Sequence, residues 1–491
     1  MRKAAWSLAA ALALGAPTAF AETPGRPRVG LVLSGGSAHG LAHVGVLKVL
    51  HELRIPVDVV AGTSMGSIVG GLYATGMPPG EMEWLVEAID WEDVLDDRPS
   101  RDRLSYRRKQ DDARNYVDLE MGLTRDGIAF PSGLIAGQKL GFLLKSLTLG
   151  TVGIDRFDDL PIPFRCVATD IASGEKVVLE EGSLAEAMRA SMSIPGVFSP
   201  VPRGARLLVD GGLVENLPVA EAREMGADVV IAVDVSSDKF DPARLKSIGG
   251  VLSRATSLPI ARNVSEATPR ANVVLTPKVA DVPSMAFSRG TELVARGEAE
   301  ARRLAPLLSA LSVSEEEYRE WRERVKGRRA VPPVIDEIQT VSAGVDPRQV
   351  RARLETEPGR PLDVAALRRD LDRIYEMGVF ETVEFRVVRD EGRHVLVLDA
   401  RPKSWGPTFL RIGSGFEADF DGDATTALRG TLHAMQLNSL GGELRATLEL
   451  GTVPGLALEY YPPLDFRGRT FVSVDAAFVR PLGRVSPPEG L

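Results

Sequence analysis

Apolar positions in the first half of the chain gather in short unbroken runs separated by stretches of helical period, and beyond residue 408 they alternate one by one with polar positions. An unbroken run marks a strand buried on both faces, and strict alternation marks a strand whose two faces meet different surroundings. Val29-Gly30-Leu31-Val32-Leu33 is a run of the first kind, and Val57-Asp58-Val59-Val60-Ala61 is nearly so, interrupted only by Asp58, with an apolar helical stretch through Arg54 between them. They predict a βαβ unit, whose crossover sets the strands parallel and brings the loops after both to one sheet edge. Residues 163–170, 206–209, 228–234 and 271–275 predict further strands with helices between and after them. Residues 22–310 therefore read as an α/β sandwich with a parallel central sheet.

Residues 314–326 are charged and helical, and Gly327-Arg328-Arg329-Ala330 followed by Pro332-Pro333 breaks the pattern, so 311–332 reads as a helical linker. Residues 333–401 then give strand, two helices and two strands, the second helix carrying Leu367, Leu371, Ile374 and Tyr375 on its apolar side. This is a small α+β domain. In residues 402–491, Leu444, Ala446, Leu448 and Leu450 face one way while Glu443, Arg445, Thr447 and Glu449 face the other. The same alternation recurs in 424–435, 455–461 and 470–479, with Tyr460, Tyr461 and Phe478 placed for membrane interfaces. Barrel strands facing lipid and a soluble antiparallel sheet share this period. About five strands are visible where a barrel needs roughly eight or more. The end, Pro487-Pro488-Glu489-Gly490-Leu491, also lacks a closing aromatic strand, so the expectation is an incomplete antiparallel β-barrel segment.

At the start, Arg2 and Lys3 precede an apolar core over 4–16, and Ala19-Phe20-Ala21 offers a small-x-small cleavage site. Residues 1–21 thus read as a secretory signal peptide. A net charge of −8 over 491 residues, without a basic aromatic-interleaved patch, argues against a nucleic-acid partner. The basic stretch 101–114 reads as a solvated loop, with contact to anionic lipid as the second reading. Cys166, the one cysteine, has no partner for an internal disulfide and reads as a buried thiol. The apolar segment 134–149 reads as a core helix, with an acyl-chain groove or lid as the alternative.

Chemistry concentrates where the second strand ends. Gly62-Thr63-Ser64-Met65-Gly66 is a nucleophile elbow, a serine on a sharp strand-to-helix turn with glycines where backbone must pass closely. Ser64 is the candidate nucleophile. The loop after the first strand, Gly35 to Gly40, emerges at the same edge. Its Gly35 and Gly36 N–H groups, with that of Met65, are the candidate oxyanion hole. The histidines are His39, His43, His51, His394 and His433, and none follows Ser64 within its domain, which excludes a serine, acid, histidine order. A carboxylate base is the better choice. Asp210, at the end of a short strand and before Gly211-Gly212, is the candidate proton acceptor.

These motifs, in this order, resemble the patatin-like phospholipases, which use a serine–aspartate dyad. The glycine loop corresponds to Gly35 through Gly40, the elbow to Gly62 through Gly66, and the D-G-[AG] motif to Asp210-Gly211-Gly212. The run Ala190-Ser191-Met192-Ser193-Ile194-Pro195-Gly196-Val197-Phe198 also looks like that family's segment before the aspartate. Two positions depart from it, since the family's loop carries a third glycine and a basic residue where this chain has Ser37 and His39. His39 stays open among a neutral loop residue, a stand-in for the basic group and an auxiliary acid or base. His43 and His51 read as packing or surface residues. Residues 333–401, with Leu371 through Phe380, resemble a POTRA domain, which implies a periplasmic module before an outer-membrane barrel.

The combined expectation is a lipid acyl hydrolase of phospholipase A type, cleaving carboxylic esters through an acyl-enzyme, on a head carried by an outer-membrane barrel as in patatin-type autotransporters. No metal-ligand cluster accompanies the motifs, so no metal or cofactor is called for. The expected partners are a phospholipid or other acyl-ester lipid, the membrane and the outer-membrane assembly machinery; a homodimer is left open. The head would be displayed at the cell surface or secreted. The alternative is a non-catalytic secreted passenger or lipid-binding module. A dinucleotide fingerprint fits poorly, because Ser37 stands where its second glycine is required and Asp58 begins its strand instead of ending it.

Overall fold

The computed structural model describes residues 25–99, 101, 104–114, 120–236, 242–326, 332–418 and 424–480. The expected signal peptide (1–21), the break at 327–330 and the terminal segment 487–491 lie outside the described residues.

Buried runs form the centre of the head as foreseen. Its strands are β1 (Val29–Leu33), β2 (Val59–Thr63), β5 (Phe164–Asp170), β6 (Lys176–Leu179), β7 (Val201–Arg203), β8 (Arg206–Asp210), β9 (Val229–Val233) and β10 (Val273–Leu275). Two strands between β2 and β5 in sequence, β3 (Glu120–Thr124) and β4 (Gly127–Ala129), leave the head for another sheet. Five head strands run parallel in the order β10-β9-β1-β2-β5, and β8 then β7 continue the sheet antiparallel, with β6 also antiparallel to β5. The central sheet is thus mixed and not parallel throughout. The cause is local: β7 and β8 are joined by Gly204-Ala205 alone, with Gly204 at φ 62°, and two residues can connect only antiparallel neighbours. Helices α1 (Ala42–Glu52) and α2 (Met65–Ala74) follow β1 and β2.

The helix Glu315–Val325, expected in the linker, packs on the head. Tyr318 and Trp321 are buried in its core, and the Trp321 indole N–H donates to the Val57 carbonyl at 3.2 Å. Next come β11 (Val334–Ile335), β12 (Glu337–Ser342), the helix Pro347–Arg351, β13 (Arg360–Pro361), the helix Val364–Tyr375, β14 (Phe380–Asp390) and β15 (Arg393–Pro402). Setting aside the two-residue β11–β13 pair, this is the expected β-α-α-β-β order, with sheet order β12-β15-β14. The head grips its edge through Gln138, whose amide donates to the Val383 carbonyl at 2.7 Å and accepts from the Val383 N–H at 2.6 Å. A side-chain amide here takes the place of a neighbouring strand.

The strands β16 (Thr408–Ala418), β17 (Ala424–Ala434), β18 (Glu443–Gly451), β19 (Gly455–Tyr461) and β20 (Val474–Val479) form an antiparallel meander. The head's β3–β4 hairpin pairs with β16 and completes a seven-stranded sheet of order β20-β19-β18-β17-β16-β3-β4. Among the described residues no sheet closes into a barrel; this sheet ends at β20 on one side and at the head's β4 on the other. Leu428, Leu448, Leu450, Leu456, Leu458 and Phe478 are exposed, whereas His433, Glu443, Arg445 and Glu459 are buried. Tyr461 turns inward against Phe471 instead of lying at an interface, while Tyr460 and Phe478 face outward. No helix among the described residues is long and apolar enough to cross a membrane.

The basic stretch 101–114 is not a solvated loop. It contains the helix Tyr106–Arg114, which lies against the inner face of the sheet and buries Arg107. The Arg107 guanidinium donates to Glu443 at 3.0 Å and pairs with Glu459; Arg108 also pairs with Glu443, and Arg445 with Glu459 at 3.1 Å. Removing one member of such a buried network strands its partners without counter-charge. Arg107→Leu should therefore lower stability by about 3–5 kcal/mol, while Arg107→Lys should recover part of that loss. Thermal unfolding checks this, and a midpoint within a degree of wild type for Arg107→Leu would contradict it.

Candidate active site

Ser64 follows directly after β2 and caps α2 with φ 54° and ψ −125°, a conformation that L residues avoid. The strain is enforced by crowding. A Cβ on Gly66 would overlap the Leu33 carbonyl oxygen, and one on Gly62 would overlap the Gly66 carbonyl. With both glycines the start of α2 tucks against the end of β1, and Ser64 is left at the sheet's edge. It is only 4% exposed.

The sheet register explains how Asp210 reaches it. Thr63 pairs with Val167 across β2–β5, and Asp210 pairs with Ala168 across β5–β8. Ser64 and Asp210 therefore stand level on either side of β5, with the small Ala168 between them. The Asp210 carboxylate accepts the Gly212 N–H at 2.8 Å and interacts with the Ser64 hydroxyl. Burial pushes its pKa up to about 6, while hydrogen bonding from Ser64 and Gly212 pulls the other way.

One segment holds both residues. The Ser64 N–H donates to Ser191 Oγ at 2.9 Å, and Ser191 Oγ–H donates to the Val167 carbonyl at 2.6 Å. The Asp210 N–H donates to the Ser193 carbonyl at 2.9 Å, and Arg189 donates to Ser193 Oγ at 2.6 Å. The resemblance had marked residues 190–198, but their role as a clamp has no signal in a single sequence.

The glycine loop emerges beside Ser64, close enough that a Cβ on Gly35 would crowd the Ser64 Cβ at 2.9 Å. The Gly35 N–H is shared between Asn216 Oδ1 at 3.2 Å and the Asn216 carbonyl at 3.4 Å, and Asn216 Nδ2 donates back to the Gly35 carbonyl at 3.3 Å. The N–H groups of Gly36, Ser37 and Met65 have no acceptor among the described residues. Gly40 packs against the Met65 side chain, and Gly211 against the Val167 carbonyl. Asn263 ties the two loops together, accepting the Asn216 N–H at 2.9 Å and donating to the Gly212 carbonyl at 2.8 Å.

Both nearby histidines anchor this loop. His39 is buried and its Nε2–H donates to the Val282 carbonyl at 2.7 Å. His43 is also buried, and its Nε2–H donates to the Ser34 carbonyl at 2.8 Å. Burial lowers its pKa to about 4, so it stays neutral near pH 7. The sequence reading of His43 as mere packing missed this contact. Cys166 is fully buried, and burial pushes its thiol up and out of reach as a nucleophile.

A narrow crevice lined by Ser37, Ser64, Met65, Ile194 and Met285 opens at Ser64. It shares Met65, Leu95, Met192 and Phe287 with an apolar pocket of about 50 Å³. Leu140, Leu143, Leu144 and Leu147 from the helix Gln138–Leu147 line that pocket, so the segment is at once a core helix and a wall of this cavity. Among the described residues no group of three or more histidine, cysteine or acidic side chains is arranged to hold a metal.

Residues 31–223 match the family model for patatin-like phospholipases. A patatin-like phospholipase domain-containing protein of Caenorhabditis elegans is 37% identical over 227 residues, covering 46% of this chain and 15% of the relative. An uncharacterized NTE family protein of Mycobacterium tuberculosis is 34% identical over 218 residues, covering 44% of this chain and 52% of the relative. The chain therefore spans about half or less of the length of these curated relatives. The solved structure of VipD from Legionella pneumophila aligns over 58% of this chain and 67% of its own, at 15% identity and a TM-score of 0.32. The family match and the curated relatives support a patatin-like phospholipase domain over residues 31–223.

Proposed function

We propose that the chain is a lipid acyl hydrolase, in which Ser64 attacks a carboxylic ester and Asp210 accepts its proton. The observation that carries this reading is the pairing of a strained, buried serine with a carboxylate whose pKa is raised to about 6. Attack by Ser64 Oγ forms a bond to the acyl carbon as the hydroxyl proton passes to Asp210. Negative charge then builds on the former carbonyl oxygen. Gly36 and Met65 N–H groups, both without an acceptor, are the proposed donors to it, with the start of the α2 dipole behind them. The Gly35 amide, bound to Asn216, holds the loop in place. Collapse expels the alcohol, which takes the proton from Asp210. Water then gives a proton to Asp210 and attacks the acyl-serine; collapse breaks the acyl–Oγ bond, Ser64 Oγ takes that proton back from Asp210, and a fatty acid is released.

The proposed acyl-chain site is the apolar pocket continuous with the crevice. Its free volume is small, so a chain enters only as Met65, Met82 and Met192 change rotamer, which unbranched thioether side chains do readily. A phospholipid is the proposed substrate class. The outward apolar face of the β16–β20 sheet supports a lipid-facing role for residues 402–480, and with it the proposed outer-membrane location, the POTRA-like reading of 333–401 and contact with the assembly machinery.

Wild type, Ser64→Ala and Asp210→Asn should be compared for fatty-acid release from phospholipid vesicles and for covalent labelling by a fluorophosphonate. Release should fall at least a thousand-fold in both variants, and labelling should vanish in Ser64→Ala. A folded wild type that neither labels nor releases fatty acid would instead favour the non-catalytic lipid-binding module.

Asp210 must be ionised to act as base, so kcat/KM for a soluble ester should fall below a pH of about 6. The same shift acts on stability with a definite sign. The folded chain holds the Asp210 proton more tightly than the unfolded chain, so this group favours folding below the ordinary value of 3.8 and loses that effect as pH rises through about 6. Asp210→Asn should accordingly be more stable to unfolding than wild type at pH 8, by up to about 3 kcal/mol, with the gain fading toward pH 4. A variant equally or less stable at pH 8 would show that burial does not strain this carboxylate.

A further inference from the structure

A second cavity, of about 450 Å³, lies where the helix Tyr106–Arg114, the α+β domain and the loop between β19 and β20 meet. It shares no residue with the crevice at Ser64. Its size is that of a small-ligand site. Six arginines line it against three glutamates. Those acids are drawn into local pairs: Glu443 serves Arg107 and Arg108, and Glu355 lies 3.3 Å from Arg373. Glu376 is the third, held within the cavity wall.

The side chains of Arg353 and Arg467 donate to backbone carbonyls. Arg353 donates to the carbonyls of Gln349 and Phe466 at 2.7 Å and of Arg467 at 3.3 Å. Burial foremost, with the nearby Arg108 charge, lowers its pKa to about 10 against the pull of Asp465 and Glu376. Asp465 folds the β19–β20 loop by accepting the N–H groups of Arg467, Arg469 and Thr470 at 2.8, 3.3 and 2.7 Å. That turn sets Arg467 and Arg469, both exposed, at the cavity mouth. The Arg467 side chain donates to the Ala352 carbonyl, and the Arg469 guanidinium has no side-chain partner among the described residues. Across the cavity, Tyr106 and Tyr461 both pack on Phe471, with ring centroids 6.5 and 4.7 Å away, forming an aromatic wall.

We propose that this cavity binds a phosphate-bearing polyol headgroup, its phosphate held by the arginines and its polyol laid against the aromatic wall. Guanidinium forks match phosphate oxygens in geometry and charge. The limited volume of about 450 Å³ and a chain net charge of −8 disfavour an extended polyanion. Such a site would tether the chain to an anionic lipid independently of the dyad, or sense a soluble phosphate ester.

The test uses the full chain carrying Ser64→Ala, so that lipid is not consumed, with and without Arg467→Glu and Arg469→Glu. Glycerol 3-phosphate is titrated by calorimetry, and vesicles of phosphatidylcholine with or without phosphatidylglycerol are assayed by flotation. Binding of glycerol 3-phosphate that weakens with salt, and about ten-fold or more with the reversed charges, is expected if the phosphate alone suffices. Binding only to phosphatidylglycerol vesicles, with the same loss, would support the proposal with a lipid as the source. Absence of both, or binding unchanged by charge reversal, would overturn it. In the Ser64 background the reversed charges should leave hydrolysis of a soluble ester unchanged, which separates this site from the catalytic reading.

Discussion

Everything near the dyad depends on how closely α2 can approach the end of β1. A side chain at Gly66 would drive the Leu33 carbonyl away, and one at Gly62 would drive off the helix start. Only with both glycines does the chain turn sharply enough to leave Ser64 at φ 54°. Such a backbone stores on the order of 1–3 kcal/mol and persists only when its surroundings over-determine it. Here they do. The Ser64 N–H is caught by Ser191, which is itself fixed to Val167 on the strand that separates Ser64 from Asp210. One hydroxyl thereby ties the strained residue to the sheet register that brings up the carboxylate.

Buried side chains around this turn hold the loop backbone through a connected set of hydrogen bonds, while the N–H groups of Gly36, Ser37 and Met65 have no acceptor among the described residues. Asn216 binds both the N–H and the carbonyl of Gly35, Asn263 links Asn216 to Gly212, and His43 holds Ser34 just before the loop. A satisfied network of this kind rigidifies a site because every alternative arrangement leaves a buried group unpaired. A loop fixed in this way keeps its Gly36 N–H, one of the proposed oxyanion donors, oriented before a substrate arrives. Preorganisation of that sort costs nothing at the moment of reaction.

What the sequence made legible follows the range of the forces involved. The strand ends carrying Ser64 and Asp210 were readable because unbroken apolar runs and glycine turns are local signals. The antiparallel return of β8 was not foreseen, since strand direction is set by the Gly204 hairpin and the sheet that receives it. Ser191, Asn216 and His43 were missed for a related reason: a buried polar side chain differs from an exposed one only through its distant partner. The same blindness turned the basic stretch 101–114 into a loop, when Arg107 lies under a sheet more than three hundred residues further along the chain.

The C-terminal sheet shows how charge can decide which face of a strand looks outward. Arg429 stands opposite Glu449 and bonds to it at 2.7 Å, and Arg445 stands opposite Glu459 at 3.1 Å. A slip of one residue would break both pairs and turn every leucine inward. These pairs therefore fix the register as well as adding stability, and Arg107 and Arg108 from the head close the set around Glu443 and Glu459. The leucines are outside because the charges are inside. An exposed leucine forgoes about 1.5–3 kcal/mol of burial, and this outward apolar face is the observation behind the proposed lipid-facing role of the sheet. The head's helix and hairpin complete its polar side, which makes the head part of the sheet's architecture and not a cargo loosely strung before it.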